Sequence, residues 1–248
     1  MTKYALVTGA SRGIGRAIAK QLAADGFHIL LHFNQNEEKA GQLKEELQKL
    51  GIIAYTIQGD FNTSEGIAHF ISSVKQLLKE KSFSLHTIVH NAGHASSSGF
   101  GQIDYEEFDR VFNANVKAPY FITQSLIQFV VPGGRIIQVS SGVTRIAFPH
   151  MMVYSMSKGA INTMTFTLAK ELGAQNITVN SVMPGIIDTD ATAGWLHTHE
   201  GREAAAKMSA LGREGRPEEI AHAVSFLASE RSSFITGHNM DVTGGSHL

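Results

Sequence analysis

Three side chains between Ser141 and Lys158 have the types and the spacing for acid catalysis on a carbonyl group. The segment reads SGVTRIAFPHMMVYSMSK and offers the hydroxyl of Ser141, the phenol of Tyr154 and the ammonium of Lys158. If Tyr154 opens a helix, Lys158 lies one turn later on the same face. A nearby cation would lower the pKa of the phenol from about 10 towards neutrality, and Ser141 would donate a hydrogen bond to the same substrate oxygen. Because YxxxK is also an ordinary helix pair and Ser141 an ordinary strand-end cap, the interpretation depends on the rest of the chain.

A glycine-rich segment follows the first predicted strand. Residues 8–15 read TGASRGIG, with glycines at Gly9, Gly13 and Gly15. Between a strand and a helix, this spacing allows a sharp turn, a close approach to a pyrophosphate and tight helix packing, with helix-terminal amides facing the phosphates. The position of the motif favours a dinucleotide site over a merely flexible turn.

The charges that follow the second predicted strand favour NADPH over NADH. An acidic residue at this place usually holds the adenosine ribose of NAD, whereas the 2′-phosphate of NADP requires a cation. Residues 32–35 read HFNQ, and no carboxylate appears before Glu37. Arg12 in the glycine loop is placed to reach the extra phosphate, and Asn34 can donate a hydrogen bond to it. The alternative for Arg12 is a solvated loop cation.

Seven short apolar segments alternate with helical patterns along the chain. Near-continuous apolar strands are typical of a sheet that is covered on both faces. The alternation predicts right-handed crossovers and a single-domain α/β fold, a Rossmann-type doubly wound parallel sheet with helices on both faces. The predicted strands cover residues 4–8, 28–33, 53–58, 87–90, 135–140, 177–182 and 239–242.

Two further features fall at the expected carboxyl ends of the strands. Residues 188–215 interrupt the alternation with small residues, several histidines and the single tryptophan. An insertion there overhangs the ligand edge of such a sheet, so we predict a substrate lid within the one domain of residues 1–248. Asp60, after the third strand, is either an acceptor for the adenine amine or a cap for the helix that begins near Thr63.

Composition excludes several classes of protein. The 248 residues are 43% apolar, and 21 basic residues balance 22 acidic ones without a block of like charge, which disfavours nucleic-acid and polybasic membrane surfaces. There is no cysteine, and none of the 12 histidines has metal-ligand spacing, so we expect no metal site. The chain shows no signal-peptide pattern and no apolar run of about 18 residues, which predicts a cytoplasmic protein.

Five motifs in the correct order resemble the short-chain dehydrogenase/reductase family over essentially the whole chain. They are TGASRGIG, NAG at residues 91–93, Asn115 within NANVKAP, the set of Ser141, Tyr154 and Lys158, and PGIIDT from residue 184. The resemblance implies hydride transfer between a nicotinamide and a carbonyl or alcohol. It implies that Tyr154 is the acid or base, that Ser141 positions the carbonyl, and that Lys158 lowers the tyrosine pKa and binds the nicotinamide ribose. Asn115 would hold a water molecule that links Lys158 to solvent, although such an amide can also simply satisfy a broken helical turn.

The cofactor-binding residues follow from the glycine loop, the charge pattern and the resemblance together. One departure from the family lies beside them, because His90 precedes NAG where the family most often has Asn. We expect His90 to be a strand-end residue and not a ligand. The candidate cofactor-binding residues are Gly9, Ser11, Arg12, Gly13, Ile14, Gly15, Asn34, Asp60, Phe61, Asn91, Ala92, Gly93, Tyr154, Lys158, Pro184, Gly185, Ile187 and Thr189.

Within the family, SRGIGRAIA, GRII, ITVN and DVTGG most resemble the 3-oxoacyl-[acyl-carrier-protein] reductases. These segments mostly build the cofactor site. The leading hypothesis is an NADPH-dependent ketoreductase that acts on a 3-oxoacyl thioester or a similar small ketone. One alternative is an NAD-linked alcohol or sugar dehydrogenase. A redox sensor without turnover is disfavoured because Asn115, Ser141, Tyr154 and Lys158 are all present.

The expected partners are a small-molecule substrate, free or carried on an acyl carrier protein, and further copies of the chain. In the reductases, basic residues before GRII and ITVN are associated with docking of the acidic carrier, but here these stretches read IQFVVPG and ELGAQN. Arg110, Lys117 and Arg145 are the cations left to form another basic rim. Relatives are commonly tetramers, which predicts a homotetramer packed through helices near residues 104–130 and 151–173.

Overall fold

Seven parallel strands form one sheet in the order β3-β2-β1-β4-β5-β6-β7. The computed structural model describes residues 2–247. The order reverses direction between β1 and β4, as in a doubly wound Rossmann-type sheet, so the predicted fold class is confirmed. The strands are β1 (Lys3–Val7), β2 (Phe27–Phe33), β3 (Ala54–Gln58), β4 (Leu85–His90), β5 (Val130–Val139), β6 (Thr178–Pro184) and β7 (Asn239–Val242).

The predicted strands match the observed ones to within a few residues, with one clear difference. We expected the fifth strand at residues 135–140, but β5 begins at Val130. Val130 pairs with Leu85, and the register then shifts before Arg135 pairs with Thr87. This irregular stretch contains Pro132, Gly133 and Gly134. Such residues are typical of turns, so the sequence pattern did not predict that the strand begins at Val130.

Nine helices connect the strands within residues 2–247. One turn of π-helix, Asn113–Lys117, joins α4 to α5. None of these helices is both long and apolar enough to cross a membrane. The helices are α1 (Gly13–Ala24), α2 (Glu37–Lys49), α3 (Ser64–Lys81), α4 (Tyr105–Phe112), α5 (Ala118–Leu126), α6 (Met152–Leu172), α7 (Ala193–Leu196), α8 (His199–Met208) and α9 (Pro217–Ala228).

The sheet separates two apolar cores, because successive strand residues point to opposite faces. On one face, Val7 and Leu31 pack in the same cluster as side chains of α1, α2 and α9. On the other face, Leu6 and Leu30 pack with side chains of α3 and α5, including the fully buried Phe70. With both faces covered, the loops at the carboxyl ends of the strands remain the accessible edge of the sheet.

Residues 188–215 leave the sheet after β6 and contain α7 and α8; we refer to this segment as the excursion. Its two ends meet at a narrow neck, where the Asp188 amide donates to the Gly215 carbonyl and the Gly215 amide donates to the Ile186 carbonyl, both at 2.9 Å. Shortly before the C-terminal end of the excursion, the amide of Leu211 donates to the carbonyl of Gly244, which follows β7. The excursion therefore stands at the carboxyl edge, and its role as a lid stays a prediction.

Candidate active site

A continuous cleft runs along the carboxyl edge of the sheet. Its larger part has a volume of about 550 Å³ and lies at the ends of β1, β2, β3 and β4. A smaller part of about 200 Å³ lies at the ends of β5 and β6. The two parts share the lining residues Ile14, Asn91, Gly93 and Thr189, so they form one site with two compartments.

Most residues predicted from the sequence line one of the two compartments, and two of them line neither. Asp60 and Asn115 lie outside the lining of both. The larger compartment contains Gly9, Ser11, Arg12, Gly13, Ile14, Gly15, Asn34, Phe61, Asn91, Ala92, Gly93 and Thr189. The smaller compartment contains Ser141, Tyr154, Lys158, Pro184, Gly185 and Ile187.

The glycine loop between β1 and α1 fits the phosphates of a dinucleotide. Gly9 and Gly13 have φ angles of +65° and +54°, which favour glycine. A Cβ atom on Gly15 would lie 2.1 Å from the Gly9 carbonyl oxygen, so this position must stay bare for α1 to pack. A Cβ atom on Gly13 would meet nothing closer than Thr189, at 3.5 Å across the cleft. The loop therefore brings bare backbone and a helix N-terminus to the cleft, which is the donor set that binds pyrophosphate.

The first residue of the NAG motif fastens this loop to the neighbouring strand. The side-chain amide of Asn91 donates to the carbonyls of Thr8 and Gly9, at 2.9 and 3.2 Å. The Thr8 hydroxyl in turn accepts from the amides of Asn91 and Ala92, each at 2.9 Å. Asn91 thus holds the turn after β1 from the side of β4.

His32 holds the same turn from the side of β2. The Gly9 amide donates to His32 Nδ1 at 2.9 Å, and His32 Nε2 lies 3.0 Å from the Gly59 carbonyl oxygen. The imidazole stacks on Phe61 with a centroid distance of 4.1 Å, and both rings line the larger compartment. Burial lowers the pKa of His32 to about 4, so the ring is neutral at neutral pH. Its place in the HFNQ segment was visible in the sequence, but its partners were not.

Asp60 accepts hydrogen bonds from neighbouring amide side chains and does not cap the helix that follows β3. Its Oδ1 accepts from the side chain of Asn34 at 3.2 Å and from the side chain of Asn62 at 2.7 Å. The helix cap is Thr63, whose hydroxyl accepts from the Gly66 amide at 3.0 Å. Asp60 therefore orients Asn34 at the rim of the cleft. The expected cap is wrong, because the helix begins at Ser64, as expected, but Thr63 provides the cap, and contact of Asp60 with the adenine amine stays a prediction.

Two cations and one carboxylate meet at the mouth of the larger compartment. Lys39 Nζ lies 3.0 Å from Asp190 Oδ2, and Arg12 Nη1 lies 4.0 Å from the same oxygen. The hydrogen bond from Lys39 lowers the pKa of Asp190. Arg12 belongs to the glycine loop, Lys39 to α2 and Asp190 to the excursion, so these charged side chains connect the three segments. Sequence reasoning found only Arg12, although Lys39 is the first cation after β2 in the chain.

The smaller compartment brings together the three predicted catalytic side chains. Helix α6 begins at Met152, so Tyr154 lies in its first turn and Lys158 one turn later, as the spacing predicted. Ser141 follows β5 and precedes a short 3₁₀ turn, and its hydroxyl accepts from the Val143 amide at 3.3 Å. Lys158 Nζ lies 5.6 Å from the ring centroid of Tyr154. The elements thus place a phenol, a hydroxyl and an ammonium around one cavity.

The pKa of Tyr154 departs from the sequence-based expectation. We expected the Lys158 cation to lower it, but burial raises it, and the opposing effect of the hydrogen bond with Ser141 is smaller. The Lys158 ammonium instead donates to the Val139 carbonyl at 2.8 Å, and burial lowers the pKa of Lys158 to about 8. The protein groups alone therefore hold the phenol in its protonated form, because both side chains are removed from water.

Asn115 anchors the π-helical turn and does not point its amide at Lys158. Its Nδ2 donates to the His94 carbonyl at 3.0 Å and to Ser157 Oγ at 2.8 Å. Its Oδ1 accepts from the His94 amide at 2.8 Å. Both amide hydrogens are used by the loop after β4 and by α6, and neither partner lies in the π-helical turn, so Asn115 ties this turn to its neighbours and the alternative of a satisfied broken turn gains no support. Its expected role in holding a water molecule stays a prediction.

Of the remaining candidates, Arg110 lines the larger compartment of the cleft, whereas His90, Lys117 and Arg145 line neither compartment. His90 ends β4 as expected, is buried, and has its Nε2 2.8 Å from Thr123 Oγ1. Of the three cations considered for a basic rim, Arg110 pairs with Glu107 and Arg145 pairs with Asp241, each at 2.8 Å. Lys117 donates to Ser64 Oγ. Two of these three charges are therefore neutralised by carboxylates.

Known proteins resemble this chain over almost its whole length. Residues 9–247 match the family model described as enoyl-(acyl carrier protein) reductase. A short-chain dehydrogenase/reductase of Pestalotiopsis microspora, GME11373, is 36% identical over 256 residues, covering 98% of this chain and 95% of its own. The 3-oxoacyl-[acyl-carrier-protein] reductase FabG of Staphylococcus aureus (strain Mu50) is 34% identical over 250 residues, covering 100% and 99%. The crystal structure of the angucycline C-6 ketoreductase LanV with bound NADP has a TM-score of 0.92 and 38% identity, covering 98% and 95%. The chain belongs to the short-chain dehydrogenase/reductase family.

Proposed function

We propose that this protein is an NADPH-dependent ketoreductase in which Tyr154 donates a proton to the carbonyl oxygen of the substrate. One observation carries the proposal. The compartment that contains Tyr154, Ser141 and Lys158 is continuous with the cleft of the glycine loop. A carbonyl group in the smaller compartment would thus lie beside the phenol and beside the end of a dinucleotide held in the larger one.

The residues of the larger compartment fit NADPH better than NADH. The glycine loop would hold the pyrophosphate, and Arg12 and Lys39 would face the 2′-phosphate. After β2, the cleft is lined by Phe33, Asn34, Gln35 and Asn36, without a carboxylate, and the lining carboxylate of Asp190 is paired with both cations. The ketoreductase LanV, which was crystallised with NADP, supports the same choice. When bound, the dinucleotide supplies the hydride.

The catalytic side chains act on the oxygen that becomes negative as the carbonyl is reduced. The Tyr154 phenol is protonated at neutral pH because burial raises its pKa, so it is a proton donor from the start. Ser141 lines the same compartment as the phenol and provides a second neutral donor for the same oxygen. The Lys158 ammonium stabilises the phenolate left after proton transfer, since the two groups share one face of α6.

The substrate class that we propose is a small ketone or a 3-oxoacyl thioester. The relative FabG is a reductase of 3-oxoacyl groups on an acyl carrier protein, and LanV is a ketoreductase for C-6 of an angucycline. The pairing of Arg110 and Arg145 with carboxylates leaves little free positive charge for an acidic carrier protein. We therefore favour a freely diffusing substrate over a carrier-bound one.

We also propose that the protein is a homotetramer, as the family resemblance implies, and that it is cytoplasmic, as the sequence pattern predicts. Large apolar side chains of α5 and α6 are partly exposed, including Tyr120, Phe121, Met156 and Phe166. Exposed apolar side chains grouped on helices are typical of surfaces that pack against another subunit. Sedimentation velocity of the wild-type protein tests this assignment, and a monomer at micromolar concentration would exclude it.

The decisive experiment compares the wild-type protein with Tyr154→Phe. Consumption of NADPH and of NADH is measured at equal concentration with 3-oxoacyl thioesters, simple ketones and sugars. We expect turnover with NADPH and a ketone or thioester, and a loss of about 10²- to 10⁴-fold in Tyr154→Phe with unchanged binding of NADP⁺. Preference for NADH with an alcohol or sugar would favour the alternative dehydrogenase. Binding without turnover would indicate a redox sensor, and equal turnover by the variant would exclude Tyr154 as the acid.

A further inference from the structure

We infer that His32 is a positioning residue for dinucleotide binding, and that it acts by fixing the backbone of Gly9 through its Nδ1 atom. The inference rests on the proposed function of the cleft. No motif of the sequence marks His32, and it does not belong to the catalytic set. Its contacts connect the turns after β1 and β3, which form the two walls of the adenosine end of the cleft.

The hydrogen bonds of His32 specify one tautomer. The Gly9 amide is a donor, so Nδ1, 2.9 Å away, must be the unprotonated acceptor. The Nε2 atom then carries the proton and donates to the Gly59 carbonyl at 3.0 Å. The His32 carbonyl also accepts from the amide of Ala10 at 2.8 Å. Two consecutive amides of the turn are thereby held by one residue.

The imidazole itself has little freedom to move. His32 is only 3% exposed. One face of the ring stacks on Phe61 with an angle of 2° between the planes, and Phe70 packs against it edge-on at 4.8 Å. The orientation of the ring is therefore fixed, because two aromatic side chains pack against it and both of its nitrogen atoms take part in hydrogen bonds.

The hydrogen bond between His32 and Gly9 is the contact through which His32 would affect ligand binding. Gly9 has a left-handed φ of +65° and makes the sharp turn, after which residues 11–15 line the cleft. Both polar groups of its backbone are held, the amide by His32 and the carbonyl by Asn91. Loss of the first hydrogen bond would leave the Gly9 amide without its partner and the turn tied to β2 only through the Ala10 amide, so the amides that face the phosphates would be held less firmly.

Two substitutions separate the two hydrogen bonds. In His32→Asn, the side-chain oxygen takes the place of Nδ1 and can still accept from the Gly9 amide. In His32→Gln, the longer side chain reaches the place of Nε2 and can still donate to the Gly59 carbonyl, but the acceptor for Gly9 is lost. Because both variants lose the aromatic stacking on Phe61, the comparison between them sets the hydrogen bond to Gly9 against the hydrogen bond to Gly59.

The experiment measures the Kd of NADP⁺ by isothermal titration calorimetry, together with the melting temperature without ligand. We expect His32→Asn to bind within about threefold of the wild-type protein and His32→Gln to bind about tenfold more weakly, as the loss of one hydrogen bond predicts. The melting temperatures of the two variants should be similar. Equal affinities in the two variants, whether weakened together or unchanged, would overturn the inference.

A second measurement does not depend on the folding of either variant. Nitrogen-15 NMR of the wild-type protein with labelled histidine should show His32 as the Nε2-protonated tautomer at neutral pH. The Nδ1-protonated tautomer would contradict the hydrogen bond from Gly9 and overturn the inference. If the wild-type protein bound neither NADP⁺ nor NAD⁺ while the tautomer was as expected, the proposed function would fail and His32 would be left with a structural role only.

Discussion

Replacement of Lys158 by Met should stabilise the fold while it removes catalysis, because the ammonium is buried without an opposing charge. Lys158 is 5% exposed, and its Nζ donates to the neutral carbonyl of Val139. None of the ion pairs between residues 2 and 247 involves it. Burial accordingly lowers its pKa from 10.5 to about 8.

The magnitude follows from the difference between these two pKa values. It corresponds to about 3 kcal/mol of folding free energy, which the charged side chain costs the folded state. Below about pH 8, Lys158 is charged in both the folded and the unfolded state, so the full cost applies. Between about pH 8 and 10.5 the unfolded state binds more protons, so the stability of the wild-type protein rises with pH in this window. Loss of the hydrogen bond to Val139 offsets about 1 kcal/mol of the gain in the variant.

Urea unfolding of the two proteins at equal protein concentration measures the effect. We expect Lys158→Met to exceed the wild-type protein by about 1 to 3 kcal/mol near neutral pH, with this advantage shrinking as the pH rises through the window. Lys170→Met is the matched control, since Lys170 is exposed on the same helix, and its difference from the wild-type protein should not follow the same window. A less stable Lys158→Met at neutral pH, or a gap that did not change with pH, would refute the reasoning.

Two further predictions concern the mouth of the cleft and the acid limit of the fold. Asp190→Asn should bind NADP⁺ a few times more tightly than the wild-type protein in calorimetry. The Asp190 carboxylate, which pairs with Lys39, would no longer compete with a phosphate of the ligand for the Lys39 ammonium. An unchanged Kd would exclude this competition. His90→Asn should resist acid better than the wild-type protein. Burial lowers the pKa of His90 to about 3, so only the unfolded state binds a proton on this ring as the pH falls below about 6.5, and the folded wild-type protein loses stability. Thermal unfolding at about pH 5 should show the wild-type protein losing about 2 kcal/mol more than the variant, relative to neutral pH, and parallel losses would contradict the assignment.

The fold and the convergence of the catalytic side chains could be predicted because their signals are local. Tyr154 and Lys158 are one helical turn apart, and the glycine loop joins adjacent elements, so spacing alone specifies their geometry. The carboxyl edge of a parallel sheet then brings Ser141 to the same place without further information.

Contacts between distant segments could not be predicted in the same way. Lys39 and Asp190 are 151 residues apart, and no periodicity relates a cation on α2 to a carboxylate in the excursion. The direction of the pKa change at Tyr154 depends on how deeply α6 and the strands bury the phenol, whereas the sequence shows only that a cation is near. The hydrogen bond that Asp60 accepts from Asn34 could not be predicted either, because it joins the loop after β3 to the loop after β2.

The excursion of residues 188–215 is closed at a narrow neck and is also tied to the segment after β7 through residues 208–211. Asp188, Gly215 and Ile186 close it with two backbone hydrogen bonds, which any side chains can share. Helices α7 and α8 lie between the cleft-lining residues 189–191 and the contact of Leu211 with Gly244, so exposed positions of these two helices can change while both attachments are kept. The residues of the sheet edge that line the cleft can therefore stay the same while the outer surface of the excursion diversifies.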